Sequence, residues 1–313
     1  MSSMTAEPPL LTIVIPSYNQ GAYIRETIES TLAQDYRPIE VLVFDGASKD
    51  GTVDVLKSFN GVPELRWWSE PDRGVVDAVN KGLALAHGKI VAIQSSDDVY
   101  VSGAFTAVVT AFQERHDLGL VYGDVEYIDA HSHVSGRSHL PPFTLHEYVG
   151  KLTYIPQPAA FFTAESLHAV GCWRPEISYA ADAEFYLRIA MRFPVTKLDR
   201  VLARYRHHEE QRDKASERVQ RDWHAAIEPL TRSSDRRLRR HARSSDDMTL
   251  LRYTPEARWV RRTIAAYHAL MVNPAVIRNP DFRATRDLFP GRYPIWRLLS
   301  RIKRSLGFAP RQS

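Results

Sequence analysis

Leu11-Thr12-Ile13-Val14-Ile15 is a β-branched run stopped by Pro16, a pattern that predicts a buried strand feeding a loop. From Tyr23 to Gln34, Ile24, Ile28 and Leu32 recur at spacings of four and predict one face of a helix. The run Ile39-Glu40-Val41-Leu42-Val43-Phe44 ends at Asp45-Gly46 and predicts a second strand, followed by a short helix from Thr52 to Phe59. The alternation continues with a strand over 65–69, a helix over 75–86, a strand over 89–93 and a helix over 103–112. This order predicts a parallel α/β sheet with helices on both faces, whose ligands bind at the carboxyl ends of the strands. Three of those ends carry carboxylate-rich loops.

After Leu118 the segments shorten. Leu120-Val121-Tyr122 predicts a strand, His131 to His139 a polar turn, and Tyr154 to Phe162 a strand start bounded by prolines. Helices are expected over 164–170 and 182–192, the second with Phe185, Leu187, Ile189 and Met191 for burial. Beyond residue 213 the chain reads as helical and Arg-rich, with a flexible break expected at Thr231 to Asp247, where Ser, Asp and Arg cluster without apolar periodicity. Near the end, Ile295, Leu299, Ile302 and Leu306 share a helical face with Arg and Lys over most of the rest. That pattern suits an anionic bilayer surface or docking on the rest of the protein.

Composition is that of a soluble globular chain: 313 residues, 44% hydrophobic and 25% charged. The net charge of +4 conceals an asymmetry, because residues 1–200 carry −9 and residues 201–313 carry +13. Nucleic-acid binding is not expected from the basic third, since no accompanying fold signature is present. A single cysteine, Cys172, excludes an intramolecular disulfide and a multi-cysteine zinc site and fits the cytosolic side. No run approaches the roughly 18–20 apolar residues of a spanning helix, and Glu7-Pro8-Pro9 stands where a signal peptide would be apolar. The expected location is therefore cytoplasmic, with peripheral membrane contact through the basic helices.

Several templates fail. No dinucleotide fingerprint or P-loop follows the first strand. Asp45 to Gly51 superficially resembles a calcium loop, but Ala47 and Lys49 occupy oxygen-donor positions, and His207-His208-Glu209 has the wrong order for a zinc protease. His131, His133 and His139 are spaced irregularly and read as a solvated loop. What remains is Pro16-Ser17-Tyr18-Asn19-Gln20, Asp45 and Asp97-Asp98 at three strand ends. Two adjacent carboxylates need donors or a cation to offset their repulsion, and Mg²⁺ or Mn²⁺ completed by substrate phosphates would serve.

Thr12 to Gln20, Glu40 to Thr52, Ser69-Glu-Pro-Asp-Arg-Gly74 with Asn80-Lys-Gly82, and Gln94-Ser-Ser-Asp-Asp98 resemble, in order and spacing, the nucleotide-binding half of glycosyltransferase family 2. The resemblance covers residues 10–213 and implies an inverting enzyme of GT-A fold, a mixed α/β sheet flanked by helices. It implies a catalytic domain over 8–213 and a basic helical extension over 214–313. Carried over by position, it places Pro16 and Tyr18 on the nucleotide side, with Tyr18 near the base and Asp45 accepting a hydrogen bond from it. Asp72 and Arg73 take nucleotide or diphosphate contacts, and Asp97 faces the ribose or donor sugar. Asp98 is the metal ligand, although Ser96 stands at the motif's first acidic position. Asp182, within Ala180-Ala181-Asp182-Ala183-Glu184, aligns with the base, with Glu184 a rival because one carboxylate of the family's pair is Ala181 here. Arg206 and His208, within Tyr205-Arg206-His207-His208, match a segment that closes over the diphosphate, and Gln157 is a further donor or acceptor contact.

The implied reaction is sugar transfer from a nucleotide-sugar, UDP- or dTDP-linked, to a hydroxyl of a glycan or lipid-linked acceptor in envelope or polysaccharide synthesis. Two other classes compete. A sugar-phosphate nucleotidyltransferase should have a Gly-rich basic loop where Pro16-Ser17-Tyr18-Asn19 stands, and a silent nucleotide-sugar-binding protein would not need Asp45, Asp97, Asp98 and Asp182 together.

Overall fold

The computed structural model describes residues 7–208, 216–253, 259–279 and 282–283. Strands β1 (Leu11–Ser17), β2 (Ile39–Asp45), β3 (Leu65–Ser69) and β4 (Ile90–Ile93) lie parallel in the order β3-β2-β1-β4. Helices α1 (Ile24–Leu32), α2 (Thr52–Lys57) and α3 (Val75–Leu85) connect them. Every residue of β1 is buried because the strand is covered on both faces, which is why its sequence reads as a continuous apolar run. The period of two decides which core each residue joins. Ile13 and Ile15 pack with α1 and α2, whereas Val14 packs with α3 on the other face. The contact with α3 requires Gly82, since a Cβ there would stand 2.2 Å from Val14 Cγ1.

After β5 (Val99–Tyr100) and α4 (Ala104–Glu114) the sheet becomes mixed. Strands β6 (Leu120–Ile128) and β7 (Val134–Arg137) form a hairpin, α5 (Leu145–Val149) follows, and β8 (Ala160–Thr163) runs antiparallel to both β4 and β6. Helices α6 (Ala164–Val170) and α7 (Ala181–Ala190) precede β9 (Val195–Arg206), which pairs parallel with β6 and antiparallel with β5. The full path is β3-β2-β1-β4-β8-β6-β9-β5. The expected strand over 154–162 starts only at Ala160, because Pro156 and Pro158 shape a 3₁₀ turn over Gln157–Ala159 first.

The C-terminal part contains α8 (Ser216–Ile227), α9 (Arg236–Tyr253) and α10 (Trp259–Val272). The flexible break expected over 231–247 is instead largely helix. Asp235 accepts hydrogen bonds from the N–H groups of Arg237 at 2.8 Å and Leu238 at 3.1 Å, starting α9, and its buried face includes His241, Ser244 and Ser245. A buried face built partly of polar residues leaves no apolar period to read. Trp223 and Ile227 of α8, with Leu238 and Ala242 of α9, join the same core as Val14, Phe162 and Phe185. Helix α10 packs with the end of α9 in a separate cluster. The amphipathic segment 295–306 lies outside the described residues. Among the described residues, no helix is long and apolar enough to cross a membrane.

Candidate active site

The loops after β1 and β2 are laced together. Asn19 N–H donates to Ser48 Oγ at 2.7 Å, Lys49 N–H to Asn19 Oδ1 at 3.0 Å, and Gly21 N–H to Asp50 Oδ2 at 2.9 Å. Asn19 and Ala47 hold φ of 52° and 60°, the left-handed region that alanine rarely adopts, so both loops carry backbone strain. Asp50 Oδ1 also accepts the Thr52 N–H at 3.1 Å, so this carboxylate serves both the lacing and the start of α2, where Gly51 stands at the cap position.

Asp45 closes β2 and is buried. Its carboxylate accepts from Ser48 N–H at 3.0 Å, from Ser69 Oγ at 2.6 Å and from Ser48 Oγ. Asp72 lies against the same loop: a Cβ on Gly46 would stand 2.9 Å from its Oδ2. Pro16 is buried within β1, and Tyr18, 61% exposed, projects from the loop beyond it. Thus Pro16, Tyr18, Asp45 and Asp72 come from three adjacent strand ends. Arg73 is exposed and bonded to Asp77 at 2.9 Å.

The second cluster joins the loop after β4 to the end of β9. Asp98 is buried, and its Oδ1 accepts Arg206 N–H at 2.8 Å. Asp97 Oδ2 lies 2.9 Å from His208 Nε2, and the His208 ring packs on Tyr23 at 5.0 Å. Arg206 is turned inward. Its guanidinium donates to Asp97 O at 2.7 Å, Asp129 O at 3.0 Å, Ser132 Oγ at 2.9 Å and Glu26 Oε2 at 2.6 Å, and sits over Tyr23. With its side chain 1% exposed, Arg206 braces the acidic loop within the protein. Gln157 bonds Ser95 Oγ at 2.7 Å and Ile93 O, fixing the same loop from the other side.

Asp182 occupies the first turn of α7, where helix N–H groups favour a carboxylate. Burial pushes its pKa above the ordinary aspartate value, while the Ala183 N–H and the Lys151 ammonium pull it back. Its charge acts on the hydroxyl of Tyr186, and that of Asp98 acts on Tyr100; both buried tyrosines are raised well above their usual range, chiefly by burial. Among the described residues, neither hydroxyl has a hydrogen-bond partner, nor does either amide atom of fully buried Gln94. Glu184, the sequence rival of Asp182, is buried and paired with Arg188 at 2.8 Å and Arg174 at 3.1 Å, which removes it as a free base. Lys151, Tyr100 and Tyr186 were not anticipated from sequence; only Tyr186, four residues after Asp182, had a readable signal.

Among the described residues no three His, Cys, Asp or Glu side chains form a metal cage. The donor set of Asp98 and Asp97 beside His208 still fits a hard divalent ion that one or two carboxylates bind and substrate phosphates complete. The deep Asp98 carboxylate and the His208–Asp97 pair supply oxygen and nitrogen donors of that kind.

The fold and these strand-end clusters define the GT-A class. The S. aureus TarS 1–349 structure in complex with UDP-GlcNAc superposes with a TM-score of 0.62 at 16% identity, covering 96% of this chain and 93% of that one. The mannosyltransferase PcManGT of Pyrobaculum calidifontis, in complex with GDP-Man and Mn²⁺, superposes with a TM-score of 0.60 at 19% identity, covering 97% and 82%. The chain belongs to Glycosyl transferase family 2, whose profile matches residues 12–169. An uncharacterized glycosyltransferase of Mycobacterium tuberculosis is 31% identical over 192 residues, 60% of this chain and 71% of the relative. Escherichia coli chondroitin synthase is 28% identical over 196 residues, but the match spans only 28% of that longer protein.

Proposed function

We propose that this glycosyltransferase moves a sugar, with inversion, from a nucleoside-diphosphate donor to a hydroxyl of a glycan or lipid-linked acceptor in polysaccharide synthesis. The observation that carries the reading is the convergence at one sheet edge of the Asp45–Asp72 loop cluster with the braced Asp97–Asp98 pair. Tyr18 and Asp45 hold the base and Asp72 and Arg73 the nucleotide, while Asp97 and His208 meet the ribose and diphosphate. Relatives that include chondroitin and hyaluronan synthases, and neighbours in complex with UDP-GlcNAc and GDP-Man, support a nucleotide-sugar donor. We assign a UDP- or dTDP-sugar. The exposed Arg236, Arg237, Arg240 and Arg243 of α9 support an anionic membrane surface beside a cytoplasmic enzyme.

Asp182 removes the acceptor proton as the hydroxyl oxygen attacks the anomeric carbon opposite the diphosphate. Burial raises its pKa, which makes the ionised carboxylate a stronger base than an exposed aspartate. A bound Mn²⁺ or Mg²⁺, held by Asp98 with Asp97 and His208 nearby, supplies charge stabilisation for the departing diphosphate. The first turn of α7, the loop after β4 and the end of β9 carry these groups, and their alignment supplies part of the rate. The test is nucleotide release from a panel of UDP-, dTDP- and GDP-sugars with and without Mn²⁺. Turnover that Asp98→Asn and Asp182→Asn each abolish supports the reading; a nucleotidyltransferase would instead consume a nucleoside triphosphate and a sugar phosphate.

A further inference from the structure

We infer that the outer faces of α9 and α10 form one surface that seats the protein on an anionic lipid bilayer, with the arginines of α9 at the headgroups and an apolar row of α10 dipping between them. The inference deepens the membrane part of the proposed function and is independent of the sugar-transfer chemistry. The inward side of α10, with Ala265, Ala266, Ala269 and Leu270, packs with Met248, Leu250 and Leu251 of α9. The outward side of a helix bordered by water should be polar. Here Ile264 is 64% exposed, Tyr267 37% and Met271 74%. Steps of three and four set these residues in one row along about 10 Å of the helix. Single exposed apolar side chains are ordinary, whereas a row of three marks a contact surface.

The neighbouring helix gives that surface its chemistry. On α9, Arg236, Arg240 and Arg243 are exposed at steps of four and three, with exposed Arg237 beside them. Among the described residues, no acidic side chain forms an ion pair with any of the four. The next place in the arginine row is Asp247, four residues after Arg243, and its Oδ2 lies 2.6 Å from His268 Nδ1. His268 follows Tyr267 directly and is itself exposed on the outer side of α10. This contact sets the arginine row and the apolar row side by side. A basic row beside an apolar row suits the interface of an anionic bilayer, where apolar side chains leave water and guanidinium groups stay with the lipid phosphates. A nucleic-acid backbone would pair the arginines but leave Ile264 and Met271 in water. A second copy of the same face would bring a second cationic row up to the first.

Flotation of the full chain with vesicles of phosphatidylcholine, alone or with about one third phosphatidylglycerol, decides the matter. The protein should float only with the anionic vesicles, and less at about 0.5 M salt than at about 0.05 M, because salt screens the arginines. Arg240→Gln with Arg243→Gln should lower the partition coefficient roughly twentyfold, since each cation near an anionic surface is worth about fivefold. Ile264→Ser with Met271→Ser should lower it at least about tenfold, because two apolar side chains no longer leave water. All four positions are exposed, so the melting temperatures should stay near wild type. Insertion has its own readout: Met271→Cys in a Cys172→Ser background, labelled with an environment-sensitive dye, should shift its emission to the blue on anionic vesicles alone. Wild type that does not float, flotation that either double variant retains in full, or a dye that stays in water overturns the inference. A dimer in sedimentation velocity that Ile264→Ser with Met271→Ser dissolves, without vesicle binding, gives the face to a second copy and overturns it too. Wild type that releases no nucleotide from any sugar donor would instead sink the transfer reading and leave the vesicle result standing.

Discussion

Replacing Arg206 separates two roles that a strand-end arginine beside an acidic motif can play. A diphosphate ligand must present donors to the cleft, but the Arg206 guanidinium donates to Asp97 O, Asp129 O, Ser132 Oγ and Glu26 within 2.6–3.0 Å. Arg206→Met keeps the stem and removes every one of those donors. Breaking a buried, hydrogen-bonded ion pair by deleting one partner costs about 3–5 kcal/mol. Glu26 is 43% exposed and rehydrates, which favours the lower end, about 3 kcal/mol. At roughly 2 °C per kcal/mol for a chain of this size, the melting temperature should fall by about 6 °C. The Arg206 backbone N–H still holds Asp98, so the donor KM should stay within about threefold of wild type, equivalent to less than 1 kcal/mol. Glu26→Gln is the milder control, because an amide oxygen can still accept from the guanidinium; about 1–2 kcal/mol is expected. Thermal melts of the three proteins and donor saturation curves decide the matter. A melting temperature within 2 °C of wild type together with a donor KM raised at least about tenfold would refute the bracing role and restore the diphosphate contact implied by family resemblance.

Asp182→Asn should lower turnover by about 10²–10⁴, and it should also stabilise the fold at neutral pH. The folded pKa of Asp182 is raised, so its contribution is fully favourable below the unfolded aspartate value and is lost as pH rises through the folded one. The variant's melting temperature should therefore exceed wild type at pH 7.5 and match it near pH 3.5, and equal melts at both would contradict the burial argument. Gly82→Ala should destabilise by about 1–3 kcal/mol through the clash with Val14, outweighing the helix propensity gained, as chemical denaturation would report. Asp98→Asn should abolish the Mn²⁺-dependent part of nucleoside-diphosphate binding in calorimetry and leave the melting temperature without ligand within a few degrees.

The parallel half of the fold was legible because its physics is local. Strands buried on both faces must be apolar throughout, and β1, β2 and β4 say so in sequence; the aspartates at their ends follow from where such strands stop. The C-terminal helices obeyed a different rule. Helix α9 fully buries Ser244 and Ser245 among its apolar residues and satisfies Trp223 Nε1 with Ser245 Oγ at 2.7 Å, so its inward face is partly polar and shows no clear hydrophobic period. The direction of a long side chain is not legible at all from its own segment. Arg206 and His208 are two residues apart, yet Arg206 fills the interior beneath the acidic loop and His208 meets Asp97 at its side. What decides between them is Glu26, 180 positions earlier, and Tyr23, both on or beside α1. The motif segments therefore locate the candidate site residues, while the neighbours that set the direction of each side chain are distant in sequence. Some of those neighbours lie in the helices that follow β9: Asp222 of α8 accepts the Tyr179 N–H at 2.7 Å, three residues before Asp182.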